Sequence, residues 1–230
     1  MWTLESPSLV EIGYVMVTQC PPGRGAVPDG RCGLGLVDGV PWWFGPQTGP
    51  WLPERAGVRV VGVRLALVAG RPVAGQSLRA WRDRRAPLER LWGHEGAGQL
   101  MARCQAARGD LAVIGVLTTA AETRAVAADA DPLAARLAEL VDRDLPAEEI
   151  ANRVGLSPRQ LPHLCVDRFG LPPSVLRRTA RVHRAARLHQ AAGPGCRLAD
   201  LAQAAGYADQ AHLSRELRSL TGLTPRTAFS

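Results

Sequence analysis

The sequence predicts an α+β chain whose β part comes first and whose helical part ends in two helix-turn-helix units. Three observations predict it. Glycine and proline punctuate residues 1–92 every few positions, and all six Trp (Trp2, Trp42, Trp43, Trp51, Trp81 and Trp92) lie there. From Glu95 onward the texture turns Ala- and Leu-rich. In the last hundred residues, a helix, a glycine turn and a capped helix occur in that order twice, about fifty residues apart.

The β elements come from short apolar runs between turns, at residues 9–18, 34–37 and 58–68. The stretch VRVVGVRL (58–65) is β-branched and partly alternating, as a half-buried strand should be. Asp29-Gly30 and Asp38-Gly39 are hairpin-type turn signals. Together they predict a small barrel or sandwich over residues 1–93. Residues 95–107 and 110–128 read as helices on propensity. They fill a connector, 94–130, whose end (Ala120–Asp131) is small and polar enough to be a linker. Pro132 opens the helical domain, 131–230, where Leu133, Leu137, Leu140 and Val141 share one helical face.

The first unit is LPAEEIANRVGLSPRQLPHLCVDRFG (145–170). Ala147–Val154 forms a helix with Ile150 and Val154 on one side, and Gly155 suits the left-handed residue that ends it. Ser157 is the N-cap of the next helix, Pro158 its first position, and Gln160 completes a capping box. Gly170 stops that helix. The proline at 162 would sit at its fifth position, where it removes a backbone hydrogen bond, so the helix either kinks or starts later. In the second unit, Leu198–Ala205 is the first helix and Gly206 breaks it. Asp209 caps the next, and Leu213, Leu217 and Leu220 give its inward stripe. Gln210, Ala211, Ser214, Arg215 and Arg218 fall on the opposite face. Gly222 ends it and Pro225 follows.

Between the units, residues 174–191 carry five Arg (177, 178, 181, 184 and 187) and no acid. Like charges four apart on a helix repel, so something negative should lie nearby. Two sources fit: an external polyanion, or carboxylates of the chain itself such as Asp142, Asp144 and Glu148.

The balance of the whole chain is consistent with a polyanionic partner. Its 230 residues hold 28 basic side chains, all Arg, against 21 acids, a net charge of +7. Hydrophobic residues at 46% exclude a disordered chain. No run approaches the roughly 20 apolar residues of a membrane span. The N-terminus lacks the pattern of a secretory signal, so a cytoplasmic, nucleoid-associated protein is expected. The five Cys are scattered without a C-x-x-C pair, which predicts reduced thiols and no zinc knuckle.

Residues 145–229 resemble the DNA-binding domain of the AraC/XylS family of bacterial transcription regulators. The residues that carry the resemblance in the first unit are Ile150-Ala151, Gly155-Leu156-Ser157, Leu161, Phe169-Gly170 and Pro173. In the joining helix they are Arg181-Val182, Ala185 and Leu188. In the second unit they are Ala202, Ala205-Gly206-Tyr207, Asp209, Leu213-Ser214-Arg215, Leu217 and Thr221 to Pro225. Through Val27-Pro28-Asp29-Gly30, Gly45-Pro46-Gln47-Thr48, Val61-Gly62-Val63-Arg64-Leu65 and the stretch from Arg82 to Gly93, residues 10–93 resemble, more loosely, the cupin-like domain that precedes it in part of the family.

The resemblance implies two recognition helices placed in successive major grooves by one long helix. Double-stranded promoter DNA is the expected partner. Activation through RNA polymerase, sensing of a small-molecule effector and pairing as a homodimer are implied as well. Arg215 or Arg218 could grip a guanine edge and Gln210 an adenine, with Ala211, His212 and Ser214 beside them. Arg178 and Arg181 of the joining helix would lie near phosphates. The first unit departs from the family pattern at His163 and Cys165. Arg159 and His163 are its best remaining contacts, to phosphate or shape.

Catalysis is not expected. His94 is the only His before residue 163, too few for a cupin metal centre or a Ser/His/Asp triad. A Gly-rich phosphate loop would need a Lys the chain lacks. Neither a metal nor a cofactor is expected. Trp42, Trp43, Phe44 and Trp51 could line an effector pocket or fill a core. Leu100, Cys104, Leu111, Ile114 and Leu117 could form a dimer face or pack on the β-domain. The rival to a promoter-binding regulator is an adaptor with impaired DNA binding that uses its first unit for protein contacts.

Overall fold

The computed structural model describes residues 10–17, 28–49, 57–193 and 195–228. Trp2, Cys20 and Trp51 lie outside them. Five antiparallel strands, β1 (Val10–Val17), β2 (Gly33–Val37), β3 (Val40–Phe44), β4 (Arg59–Leu65) and the three-residue β5 (Arg85–Pro87), form one sheet in the order β1-β4-β2-β3-β5. The β2–β3 turn is Asp38-Gly39, as expected. Both residues have positive φ (47° and 85°), as the tight hairpin turn requires.

The sheet is open, which corrects the barrel expectation: β1 and β5 are its edges and do not pair. The cause is visible in the packing. Helices α2 (Glu89–Ala106) and α3 (Asp110–Val126) lie on one face of the sheet, and α1 (Gly70–Ala74) packs against α3. Leu100, Cys104, Ile114 and Leu117 share one core with Leu34, Trp43, Val61, Val63 and Leu65. With its apolar face already covered by helices, a short sheet has nothing to gain by closing on itself. Leu111 instead stands 63% exposed on the outer side of α3.

The chain then continues as α4 (Pro132–Asp142), α5 (Ala147–Arg153), α6 (Gln160–Phe169), α7 (Pro173–Ala192), α8 (Leu198–Ala204), α9 (Gln210–Thr221) and α10 (Pro225–Ala228). Asp131 caps α4 by accepting from Ala134 N at 2.9 Å, with Pro132 at the first position. Two helical cores follow. The first gathers Leu137, Leu140, Ile150, Leu161, Cys165, Phe169 and Leu176. The second gathers Val182, Ala185, Leu201, Tyr207, Leu213, Leu217 and Leu220. Helix α7 supplies Leu176 to one and Val182 and Ala185 to the other, so a single rigid element belongs to both.

Asp29-Gly30 is not a hairpin turn, a second correction: β1 pairs with β4, not with β2. The loop docks instead on α7. Gly30 (φ 72°) lies so close that a Cβ built there would sit 2.6 Å from Thr179 Oγ1. Arg31 reaches Asp142 at 3.3 Å, and the buried Asp29 pairs closely with Arg64. Burial alone would raise the Asp29 carboxyl, but Arg64, His183 and Arg31 outweigh it and hold it below its ordinary 3.8. Burial depresses the His183 imidazole below its ordinary 6.5, against the pull of Asp29 and aided by Arg64, Arg31 and Arg187.

Both shifts act in the same sense. On acidification the unfolded chain takes up protons before the folded one does. Stability is therefore full above about pH 6.5 and falls below it through His183, then again below about pH 3.8 through Asp29. Thermal melting at constant ionic strength should show a lower midpoint at pH 5.5 than at pH 7.5. His183→Gln should shrink that difference. An unchanged difference would remove His183 as its source.

Candidate nucleic-acid interface

The second unit forms as its local signals require. Helix α8 ends at Ala204, and Gly206 takes φ 88° in the turn. Asp209 is extended, and its carboxylate accepts from His212 N at 2.6 Å, capping α9. Leu213, Leu217 and Leu220 are buried. Gln210, Ala211, Arg215 and Arg218 are exposed and Ser214 is half-buried. Their spacing of 0, 1, 4, 5 and 8 residues gathers them on one side of the helix, a ridge about 12 Å long. Among the described residues, neither Arg215 nor Arg218 has a carboxylate within ion-pair distance. His212 sits on the flank of the ridge. Its ring meets Tyr207 edge-on at 5.2 Å, and its Nε2 lies 3.8 Å from Glu216 Oε2.

In the first unit, Ser157 and Gln160 cap each other: Gln160 N donates to Ser157 Oγ at 3.2 Å, and Ser157 N donates to Gln160 Oε1 at 2.9 Å. The first turn of α6 opens where the capping box puts it: Gln160 N and Leu161 N donate to Ser157 O at 3.0 and 3.2 Å, and the regular helix runs over Gln160–Phe169. The proline at 162 stays in that helix without the N–H that would reach the carbonyl of Pro158. Leu161, Cys165 and Phe169 face the core, while Arg159, Gln160 and His163 are exposed. Burial pushes the Cys165 thiol up to about 12, so it is a core side chain rather than a reactive one. The far end of α6 faces the amino-terminal region: Ser77 Oγ donates to Asp167 O at 3.4 Å, and Arg71 lies 3.7 Å from the Asp167 carboxylate.

The arginines of α7 are largely spoken for, and the source of negative charge is internal. Arg177 donates through Nε to Asp144 Oδ1 and through Nη2 to Asp144 O, both at 3.0 Å. Arg178 donates to Glu216 Oε1 at 3.0 Å and to Ser219 Oγ at 3.2 Å. Arg181 reaches Glu216 at 3.5 Å and Asp144 at 3.9 Å, and only 18% of its side chain is exposed. Arg184 donates to Asp142 O at 2.8 Å. Arg178 and Arg181 thus pair within the protein, with Glu216 and Asp144.

Glu216 is a buried, ion-paired acid that sequence reasoning missed. It is the sole acid of α9 and stands on the core rows, three after Leu213 and four before Leu220. An acid on the inward stripe of a basic helix is the signal that could have found it. Beside it, burial raises the Tyr207 phenol, and the charge of Glu216 adds to that rise. The Arg181 guanidinium lies 5.4 Å from the Tyr207 ring centre.

Of the aromatic set, the three described residues divide between the two faces of β3. Strand β3 alternates its faces, so Trp43, fully buried, enters the core under the helices. Trp42 and Phe44 pack on the other side with Val58 and Val60. Trp51 is outside the described residues.

A family model described as a helix-turn-helix domain matches residues 150–230. The whole chain is similar in fold to apo ToxT K231A from Vibrio cholerae strain SCE256, at 11% identity over 98% of each chain with a TM-score of 0.55. ToxT from Vibrio cholerae O395 aligns at 9% identity over 93% of this chain and 94% of its own, with a TM-score of 0.50. An AraC-type transcriptional regulator from Chromobacterium violaceum is 27% identical over 43% of this chain and 89% of its own, with a TM-score of 0.38. No curated protein matches the chain.

Proposed function

We propose that this chain is an AraC-type transcription regulator that reads promoter DNA mainly through α9 and uses α6 for phosphate and shape contacts; the helix-turn-helix match over residues 150–230 supports it. The single observation that carries this reading is the ridge Gln210, Ala211, Ser214, Arg215 and Arg218, turned away from the protein's own body. Two arginines on such a ridge offer bidentate donors to guanine edges, and Gln210 can pair an adenine. On α6, Arg159 and His163 take the phosphate role. The 20 residues of α7 span about 30 Å, close to the ~34 Å repeat of major grooves on one face of DNA. The two readers differ, so the site is asymmetric, and paired protomers would favour unlike half-sites.

Residues 131–230 are the DNA-binding part in this reading. Residues 1–93, with the connector 94–130, serve signal sensing or pairing. The packing of α2 and α3 on the sheet supports the two acting as one body. Activation through RNA polymerase is the mode the family resemblance favours.

A salt titration against promoter fragments tests the reading. Affinity should fall steeply with salt, because each neutralised phosphate contributes about −0.9 to the log–log slope. Arg159→Ala should flatten that slope by about one unit without altering base preference. An adaptor with impaired DNA binding would show no promoter fragment bound above random DNA.

A further inference from the structure

We propose that Glu216 is a positioning residue that sets the direction of the second recognition helix relative to the first, and so the spacing of the two half-sites that this protein accepts. The inference rests on the DNA-reading role of α9 and goes beyond it, because Glu216 touches no DNA in it. Its side chain is 6% exposed. It takes Arg178 at 3.0 Å and Arg181 at 3.5 Å, both from α7. Arg181 and Arg177 then reach Asp144, which lies in the α4–α5 turn at the entry to the first unit, at 3.9 and 3.0 Å. The turn of the second unit meets the same carboxylate, since a Cβ built on Gly206 would sit 3.6 Å from Asp144 Oδ2. A chain of alternating charges thus runs from the first unit, across the joining helix, to the inner face of the second reader.

Apolar packing alone holds α9 against α7 but leaves it free to roll by small angles, because Leu213, Leu217 and Leu220 are non-directional contacts. A buried carboxylate between two guanidiniums is directional. Moving α9 along or around its axis would strand Glu216 without partners, at the full cost of an unpaired buried charge. The use of buried ion pairs to fix register is their best-attested role. Arg215, adjacent to Glu216, and Arg218, two residues on, stand on the ridge, so fixing the inner face aims the outer one.

The test is binding of the full chain to promoter DNA with the natural spacing and to the same DNA with one base pair inserted between half-sites. The insertion rotates one half-site by about 35°. Wild type should lose about tenfold or more in affinity on the insertion. Glu216→Gln should bind the natural site more weakly and lose less than about threefold on the insertion. Arg178→Gln, which breaks the pair from the other side, should shrink the insertion penalty likewise and leave the salt slope unchanged. A wild-type insertion penalty in either folded variant overturns the proposal, as does an Arg178→Gln variant that changes only the salt slope. Wild-type protein that binds no promoter DNA overturns the underlying DNA-reading role instead, and is recognised without any variant.

Discussion

Arg215→Ala combined with Arg218→Ala is expected to abolish promoter-specific binding and leave the fold in place. Each arginine can lose a bidentate base contact worth ~1–3 kcal/mol. If the two act on separate bases, the losses add to roughly 2–6 kcal/mol, which is about 30-fold to more than 10⁴-fold in affinity. Both side chains are exposed and form no ion pair among the described residues, so stability should change by no more than about 0.5 kcal/mol. Competition between labelled promoter and random DNA separates the two quantities. The random-DNA affinity should weaken only modestly, because phosphate contacts elsewhere persist. A double variant that still prefers its promoter as strongly as wild type would show that α9 does not read bases.

Trp43→Ala should produce the largest loss of stability among these predictions, about 3–5 kcal/mol. The indole is fully buried in the core that joins the sheet to α2 and α3. Removing it leaves a cavity between three elements that cannot collapse together. Trp42→Ala should cost distinctly less, because Trp42 is half-buried on the other side of β3. Urea unfolding of both variants measures the difference. A loss below about 1 kcal/mol for Trp43→Ala would return that tryptophan to the list of effector contacts.

How far the sequence could be read depended on the range of the signal. Capping boxes, turn glycines and apolar stripes act within about four residues. The Ser157–Gln160 box, Asp209 on His212, the Asp38-Gly39 hairpin and the stripe Leu213, Leu217 and Leu220 were all legible for that reason. The proline at 162 left a kink or a later start open, and the bonds to Ser157 O keep the first turn of α6 where the box puts it.

The sequence by itself determined that the chain is α+β, that its last third holds two capped helix pairs, and that one face of α9 carries arginines. Only the tertiary structure decided which arginines are free. Arg177 finds Asp144, 33 residues away in sequence, and Arg178 finds Glu216, 38 residues away. It also decided that the sheet stays open, that Trp43 parts company with Trp42 and Phe44, and that Asp29-Gly30 clasps α7. The physical reason is common to these cases. Charge pairing and burial depend on distances between segments remote along the chain, and no local pattern encodes which carboxylate or which helix will arrive.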